Sequence, residues 1–445
     1  MIVQEKSSLK LWKKFYRLNN YYHKDIQKLV SNLIPKDLSV IEIEPRGGEL
    51  LSSLPNIAKA GVYIKNFSQK KMPKVKYDYV ILSNTLSEVD NIQDFIKEIK
   101  KVVHENTRVV VIFFDFFWKP ILDLGEKIGL KLPQVKEPNW LSEIDVDNFF
   151  FLEGFEKIKS GKRFLIPYKI PYLSDFINRY LAPLPLINSF CLTNFAIYKP
   201  VKERKEYSVS IIIPARNEEG NMKGIFEKIP ELGKKMEIIF VEGHSKDNTY
   251  KVIQEEIKKY KGPIKASLYK QKGKGKGDAV RLGFSKAKNE LLIILDADLT
   301  VEPKELPKFY EVAALGLGDL VNGSRHVYPM EKQAMRVLNY LGNKFFSAAF
   351  TFLLGQKIKD TLCGTKVILK ENYQKIEKNR KLFGNFDPFG DFDLIFGASK
   401  LNLKIIEIPI RYKERSYGKT NISRSTHGWL LLKMVGFAAK NLKFK

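Results

Sequence analysis

Two aspartates, Asp296 and Asp298, follow directly on an apolar run, since residues 291–300 read LLIILDADLT. Residues two apart on a strand point to the same side, so both carboxylates can converge at the strand's C-terminal end, with Ala297 between them. Two carboxylates that close raise each other's pKa unless positive charge compensates them. A divalent cation removes the conflict, and hard oxygen ligands suit Mg²⁺ or Mn²⁺. Ligands of open parallel sheets bind at the carboxyl ends of the strands, which is where this pair sits. The same residues would also suit a solvated loop whose aspartates cap the next helix.

The elements that would carry such a site repeat along the second half. Val209–Ile213, ending in Pro214, and Glu237–Val241, Ile264–Tyr269 and Leu291–Leu295 predict strands separated by helical stretches, an α/β layer fold. The short run QKGKGKG, Gln271–Gly277, lies between a strand and a helix. The charged, proline-containing stretch Lys199–Ser208 predicts a linker. Before it, Ser39–Glu44, Tyr77–Ser83 and Arg108–Phe114 read as buried strands, and Ile92–Val103 has helical spacing. Further strands are expected around 155–200, interrupted by Ile170–Phe190, which is apolar, aromatic and basic and reads as a packed connector or a patch that touches lipid. At 445 residues two domains are expected, 1–200 and 201–445.

The chain has 76 Lys and Arg against 50 Asp and Glu, a net charge of +26. That surplus suits anionic partners, of which acidic phospholipid and phosphorylated substrates fit; no nucleic-acid-binding signature accompanies the charge. It is also what a lysine-rich solvated surface would show. The two cysteines, Cys191 and Cys363, have no CxxC partner, so neither zinc nor an oxidising compartment is indicated. No apolar run reaches the ~18–20 residues that span a bilayer, and the expected location is cytoplasmic, peripheral on the inner face of the cell membrane.

Around the aspartate pair, SIIIPARNEEGN from Ser210, FVEGHSKDNT from Phe240, GKGDAVRLGFSKA from Gly275 and GSR from Gly323 stand in fixed order. From about Val209 to His427 the chain resembles the inverting family 2 glycosyltransferases with a GT-A fold, most nearly dolichyl-phosphate mannose or glucose synthases. The resemblance implies a GDP- or UDP-sugar donor contacted by Pro214, Arg216, Glu218, Glu242, Asp247, Lys276, Asp296, Ala297, Asp298 and Arg325. Of these, Asp296 and Asp298 would bind the metal. Gly243 and His244 stand where the family usually carries an acid and Gly, and Thr300 stands where many members have a glutamine metal ligand.

Farther on, KDTLCGTK (Lys359–Lys366), FGDFDL (Phe389–Leu394) and IPIRYKERSYGKTN (Ile408–Asn421) resemble the acceptor-side blocks of the same family. They imply Lys366, Arg415, Lys419 and Arg424 for an anionic acceptor, with Asp393 as the base if the acceptor is a hydroxyl. Asp298, Asp393 and Arg415 are the expected catalytic residues. A polyprenyl phosphate needs no strong base, because its oxygen is already anionic; transfer to a hydroxyl of a glycan or lipid is the alternative. Met335–Leu354 and His427–Ala439 are apolar with basic residues and resemble the interface helices of these synthases, suited to a membrane surface or to contact within a homo-oligomer.

In the first half, VIEIEPRGGEL (Val40–Leu50) resembles the opening motif of class I S-adenosylmethionine-dependent methyltransferases, and the chain resembles proteins that fuse such a Rossmann-like domain to a family 2 transferase. Glu44 and Arg46 replace glycines, Gly61-Val62-Tyr63 lacks the acid for the ribose, and Ile64–Tyr77 is short for the adenine-contacting segment. Only Glu42, Gly47 and Gly48 survive as contacts. The expectation is a degenerate methyltransferase domain that does not bind S-adenosylmethionine, with a bifunctional methyltransferase/glycosyltransferase as the alternative.

Overall fold

The Val- and Ile-rich runs become buried strands in two separate sheets. The computed structural model describes residues 6–56, 58–62, 73, 75–132, 138–328, 337–380, 390–415, 417 and 424–444. The chain divides into two units, residues 1–201 with 443–445, and residues 202–442.

In the first unit, β1 (Val40–Ile43), β2 (Lys59–Val62), β3 (Tyr77–Ser83), β4 (Val103–Phe114), β5 (Phe155–Arg163) and β6 (Thr193–Pro200) form a sheet of order β2-β1-β3-β4-β6-β5. β1 to β4 run parallel, and β6 lies antiparallel between β4 and β5. The helical reading of Ile92–Val103 holds over Ile92–Ile99, after which a 3₁₀ turn leads into β4. The linker expected at Lys199–Ser208 begins later. Lys199 and Pro200 end β6, because the Lys199 ammonium is buried and paired with Glu156 at 3.1 Å. Ile170–Phe190 folds into short helical turns between β5 and β6, leaving Tyr172 and Leu186 almost fully exposed.

The second unit holds β7 (Ser208–Ala215), β8 (Lys235–Glu242), β9 (Lys265–Lys270), β10 (Leu291–Ile294), β11 (Leu320–Ser324), β12 (Lys366–Leu369) and β13 (Ile405–Pro409). Their order is β9-β8-β7-β10-β12-β11-β13, with β12 antiparallel to its neighbours, a mixed sheet. β10 is buried on both faces, as a central strand covered by helices must be. The helix Lys276–Lys286 lies on β7 so closely that a Cβ at Gly283 would fall 2.4 Å from Cγ2 of Ile212. That approach delivers Lys276, at the helix start, to the carboxyl end of the sheet.

The helices Val337–Leu354 and Arg424–Ala438 contain most of the two apolar segments noted in the sequence, and they pack against each other. Among the described residues no helix is long and apolar enough to cross a membrane. Overpacking a tight helix–sheet contact costs ~1–3 kcal/mol. Gly283→Val should therefore lower the second unit's stability by about that amount in denaturant unfolding, while leaving the first unit's transition in place.

Candidate active site

β7, β8 and β10 are parallel neighbours, so the segments that follow them open on the same end of the sheet. Asp296 and Asp298 leave β10 there, and Leu299 takes a left-handed φ of 50° as the chain turns away. Ala297 is buried beneath the pair. The Lys276 ammonium meets Oδ1 of Asp296 at 2.5 Å. Burial alone would raise Asp296, but the charges of Lys276, Lys366 and Arg325 hold it below the usual carboxylate range. For Lys276 burial works against the charge, and Asp296 and Asp391 more than reverse it, keeping the ammonium protonated. Gly364 makes the pairing sterically feasible, since a Cβ there would lie 1.9 Å from Oδ2 of Asp296 and 2.1 Å from Nζ of Lys276.

Asp298 is oriented by its own turn. Its Oδ1 accepts the Thr300 hydroxyl at 2.8 Å and the Thr300 backbone N–H at 3.1 Å. Its Oδ2 meets Nη2 of Arg415 at 2.6 Å. The Lys413 backbone N–H donates to the Thr300 carbonyl at 3.0 Å, which ties the segment after β13 to the aspartate turn and so brings Arg415 into place. Arg415 also approaches Oε1 of Glu218 at 3.7 Å.

Glu218 follows β7 and is buried, with Oε2 accepting from the Asn221 amide at 2.7 Å. Burial pushes its carboxyl up to about 7, and the negative charge of Asp298 adds to the rise. Pro214 lies in β7 opposite Val241, whereas Arg216 is exposed at the strand's end. Asp247 is used locally: its Oδ1 accepts the Thr249 hydroxyl and its Oδ2 the Glu219 N–H at 3.3 Å. Glu242 accepts from the Ser245 N–H. His244 has a left-handed φ of 59°, and its Nε2 lies 3.2 Å from the Gly273 carbonyl. Gly243 and His244 thus form a turn packed against the QKGKGKG run.

Arg325, expected at the donor, and the acceptor-side residues are placed differently from one another. Arg325 forms a two-pronged pair with Asp360, at 2.7 and 2.9 Å, and Asp360 is drawn down to about 2 as the charge of Arg325 overcomes its burial. Lys366 is buried, bonded to Oδ1 of Asp391 at 2.8 Å and to the Cys363 carbonyl. Asp393 lies between Nε of Arg380, at 3.3 Å, and Nη1 of Arg281, at 3.7 Å; its burial outweighs both arginines and holds its pKa above the ordinary value. Lys419 lies outside the described residues, and Arg424 begins the final helix.

The structure therefore brings together Lys276, Asp296, Asp298, Glu218 and Arg415, and gives Arg325 and Lys366 acidic partners of their own. Sequence reasoning passed over Asp360, Asp391, Gly364 and Tyr417, although all four stand in blocks it had singled out, and Arg380, which does not. The Tyr417 ring covers Gly220 so closely that a Cβ there would lie 2.6 Å from it.

Hard carboxylate oxygens at Asp296 and Asp298 fit Mg²⁺ or Mn²⁺. Among the described residues no three acidic, histidine or cysteine side chains converge as a ready cage.

Glu218 makes the site's stability pH-dependent. Its folded pKa of about 7 exceeds the ordinary 4.5, so between those values the folded chain holds the extra proton. Stability should then fall as pH rises through that window, by at most ~3 kcal/mol. Denaturant unfolding of the second unit at pH 5 and pH 8 should show the fall, and Glu218→Gln should flatten it; a pH dependence unchanged in the variant would place the proton elsewhere.

With this geometry in view, comparison with known proteins is informative. Residues 210–377 match the model of the family described as Glycosyl transferase family 2. The chain is 29% identical over 253 residues to a dolichol-phosphate mannosyltransferase of Pyrococcus furiosus, covering 53% of this chain and 67% of that protein. It is 26% identical over 226 residues to a dolichyl-phosphate β-glucosyltransferase of Dictyostelium discoideum, covering 46% and 66%. The chain thus spans about two thirds of the length of these relatives. Among solved structures, glucosyl-3-phosphoglycerate synthase of Mycobacterium tuberculosis aligns with 53% of this chain and 81% of its own, at 17% identity and a TM-score of 0.39. The match over residues 210–377 and the similarity to these transferases support a glycosyltransferase enzyme, the class that the ordered blocks around the aspartate pair imply.

Proposed function

We propose that the second half transfers a hexose, with inversion, from a GDP- or UDP-sugar to a membrane polyprenyl (dolichyl-type) phosphate. The observation that carries this reading is the aspartate pair at the strand end, each member held by a cation from a different element, Lys276 and Arg415. The family match and the dolichyl-phosphate substrates in the two relatives' names support it.

A Mg²⁺ or Mn²⁺ ion held by Asp296 and Asp298 would neutralise charge on the departing nucleoside diphosphate. Lys276 serves the same charge from the protein side, as a point charge that can exchange a carboxylate oxygen for a phosphate oxygen, while the Arg415 fork can turn to a phosphate oxygen of the acceptor. Thr300 keeps Asp298 aimed throughout. Lys366 and Arg325 act one step back: their own acids neutralise them, so they shape the site's field and the loop at 360–366. The acceptor phosphate falls to Arg415, with Lys419 and Arg424 on the same side of the chain's sequence.

A hydroxyl acceptor is the second reading, and the raised pKa of Asp393 favours it, since a buried carboxylate of that kind can take a proton. The net charge of +26 and the exposed Trp429 and Leu432 of the last helix support attachment to the cytoplasmic face of an acidic membrane. For the first unit, the antiparallel β6 and the Gly47-Gly48 turn after β1 support a methyltransferase-like fold. Arg46, with a left-handed φ of 48° and bonded to Glu88, supports loss of the cofactor.

Binding of GDP- or UDP-sugar, measured by calorimetry, should require Mg²⁺ or Mn²⁺ and be lost in Asp298→Ala; no binding of either donor would sink the transferase reading. Asp393→Asn should retain most transfer to a polyprenyl phosphate; a loss of a hundredfold or more would contradict the reading in which the anionic acceptor needs no base from Asp393.

A further inference from the structure

A cavity of about 1610 Å³ lies in the first unit, larger than the ~300–1,000 Å³ of ordinary small-molecule sites. It opens at the carboxyl ends of the strands, where Glu42 and Glu44 of the β1 end, Asn84 after β3 and Phe114 of β4 line it. A nucleoside cofactor would need the glycine turn after β1, and side chains fill that place. Trp12 donates to Oε2 of Glu49 at 3.0 Å, the Arg46 guanidinium lies 5.2 Å from the Trp12 ring centroid, and a Cβ at Gly47 would strike both Trp12 and Glu49.

Much of the rest of the wall is apolar and aromatic, with Phe15, Tyr16, Tyr22, Phe95 and Trp118 in it, while Asp90, Asp94 and Glu98 make one side of it acidic. His23 is stacked on Tyr16 at 4.4 Å, and burial lowers its pKa to about 4, so the ring is neutral at pH 7. Glu42 is 3% exposed, and burial pushes its carboxyl up to about 8. Oε2 of Glu42 and Oδ1 of Asn84 are both buried without a hydrogen-bond partner. Three cations of the lining have acidic partners, Arg46 with Glu88, Lys131 with Glu126 and Lys169 with Asp175, so the lining's surplus charge is acidic. At the mouth, Leu18, Ile121 and Tyr168 are each more than half exposed, and Phe117, Leu124 and Ile128 continue the apolar surface from the same stretch of chain.

We infer that this cavity binds a neutral long-chain alcohol, with its hydroxyl between Glu42 and Asn84 and its hydrocarbon chain running out along the aromatic walls. A hydroxyl supplies what the floor lacks, a donor for the Asn84 carbonyl oxygen and a partner for the Glu42 carboxyl, and unmade hydrogen bonds of this kind are costly to leave buried. An anionic head group in the same place would meet the carboxyls of Glu42, Glu44 and Glu49. Isoprenoid and straight-chain alcohols share this chemistry.

Trp12 and Trp118 line the cavity and report on it directly. The full chain titrated with a vicinal dibromo-octadecanol should show saturable quenching of tryptophan fluorescence at one probe per chain. The matching dibromo-octadecanoic acid should bind at least tenfold more weakly at pH 9, and a polyprenol should displace the alcohol if its chain fits. Glu42→Leu should weaken the alcohol about tenfold. Ile121→Arg, at a half-exposed position that leaves the fold intact, should weaken it comparably by closing the mouth. Overturning results are quenching that never saturates or ignores both substitutions, tighter binding of the acid, or displacement of the probe by micromolar S-adenosylmethionine.

Discussion

Two negative charges stand within one turn of each other at the end of a fully buried strand, and the second unit is organised around answering them. Without compensation, two like charges this near in sequence at a buried strand end would repel. The answer comes from two directions. Lys276 arrives at the start of a helix pressed onto β7, and Arg415 arrives on the segment that leaves β13. Smaller features serve those arrivals. Gly283 permits the helix's close approach, Gly364 leaves room beside the Lys276–Asp296 pair, and the Lys413 N–H docks the Arg415 segment on Thr300. A charge pair between elements so distant in sequence exists only when the whole sheet order is in place, so binding competence and folding of this unit are coupled.

Compensation by side chains also explains why a diphosphate could be received there. A cation that already neutralises a carboxylate can share itself with a phosphate at little electrostatic cost, and arginine's fork can hold both. Glu218 is the weak point of the arrangement. Arg415 reaches it only at 3.7 Å, and its proton is held more tightly than that of an ordinary carboxylate. One excess acid beside two satisfied ones is what a further cation would settle.

Much of this was legible in the sequence, for identifiable reasons. β7, β8 and β10 are largely buried and therefore read as continuous apolar runs, so their positions emerged within two or three residues, whereas the short β11, β12 and β13 were not read as strands. The aspartate pair, Lys276, Glu218 and Arg415 were each recognisable from their blocks. Their partners were not, because a pairing such as Arg415 with Asp298 or Arg325 with Asp360 depends on the register of a sheet and not on local spacing. Lys366 illustrates the point: its type suits an anionic acceptor, while its burial against Asp391 is a property of β12 lying between β10 and β11. The linker was misjudged at Lys199 for the same reason, since a lysine reads as exposed until Glu156 is seen across the sheet. The first unit inverts the pattern. Its cavity follows the same strand-end rule, yet its inner groups are buried without charge, a distinction that composition does not carry.

The most direct measurement is transfer itself. With GDP- and UDP-hexoses carrying a radiolabelled sugar, a polyprenyl phosphate in detergent or vesicles and Mg²⁺ or Mn²⁺, the full chain should move label from one of the donors into an organic-soluble, mild-acid-labile lipid. Arg415→Ala should abolish that product. Label that stays entirely with the nucleotide, or that passes with equal speed in Arg415→Ala and Asp298→Ala, would contradict the assignment of this site.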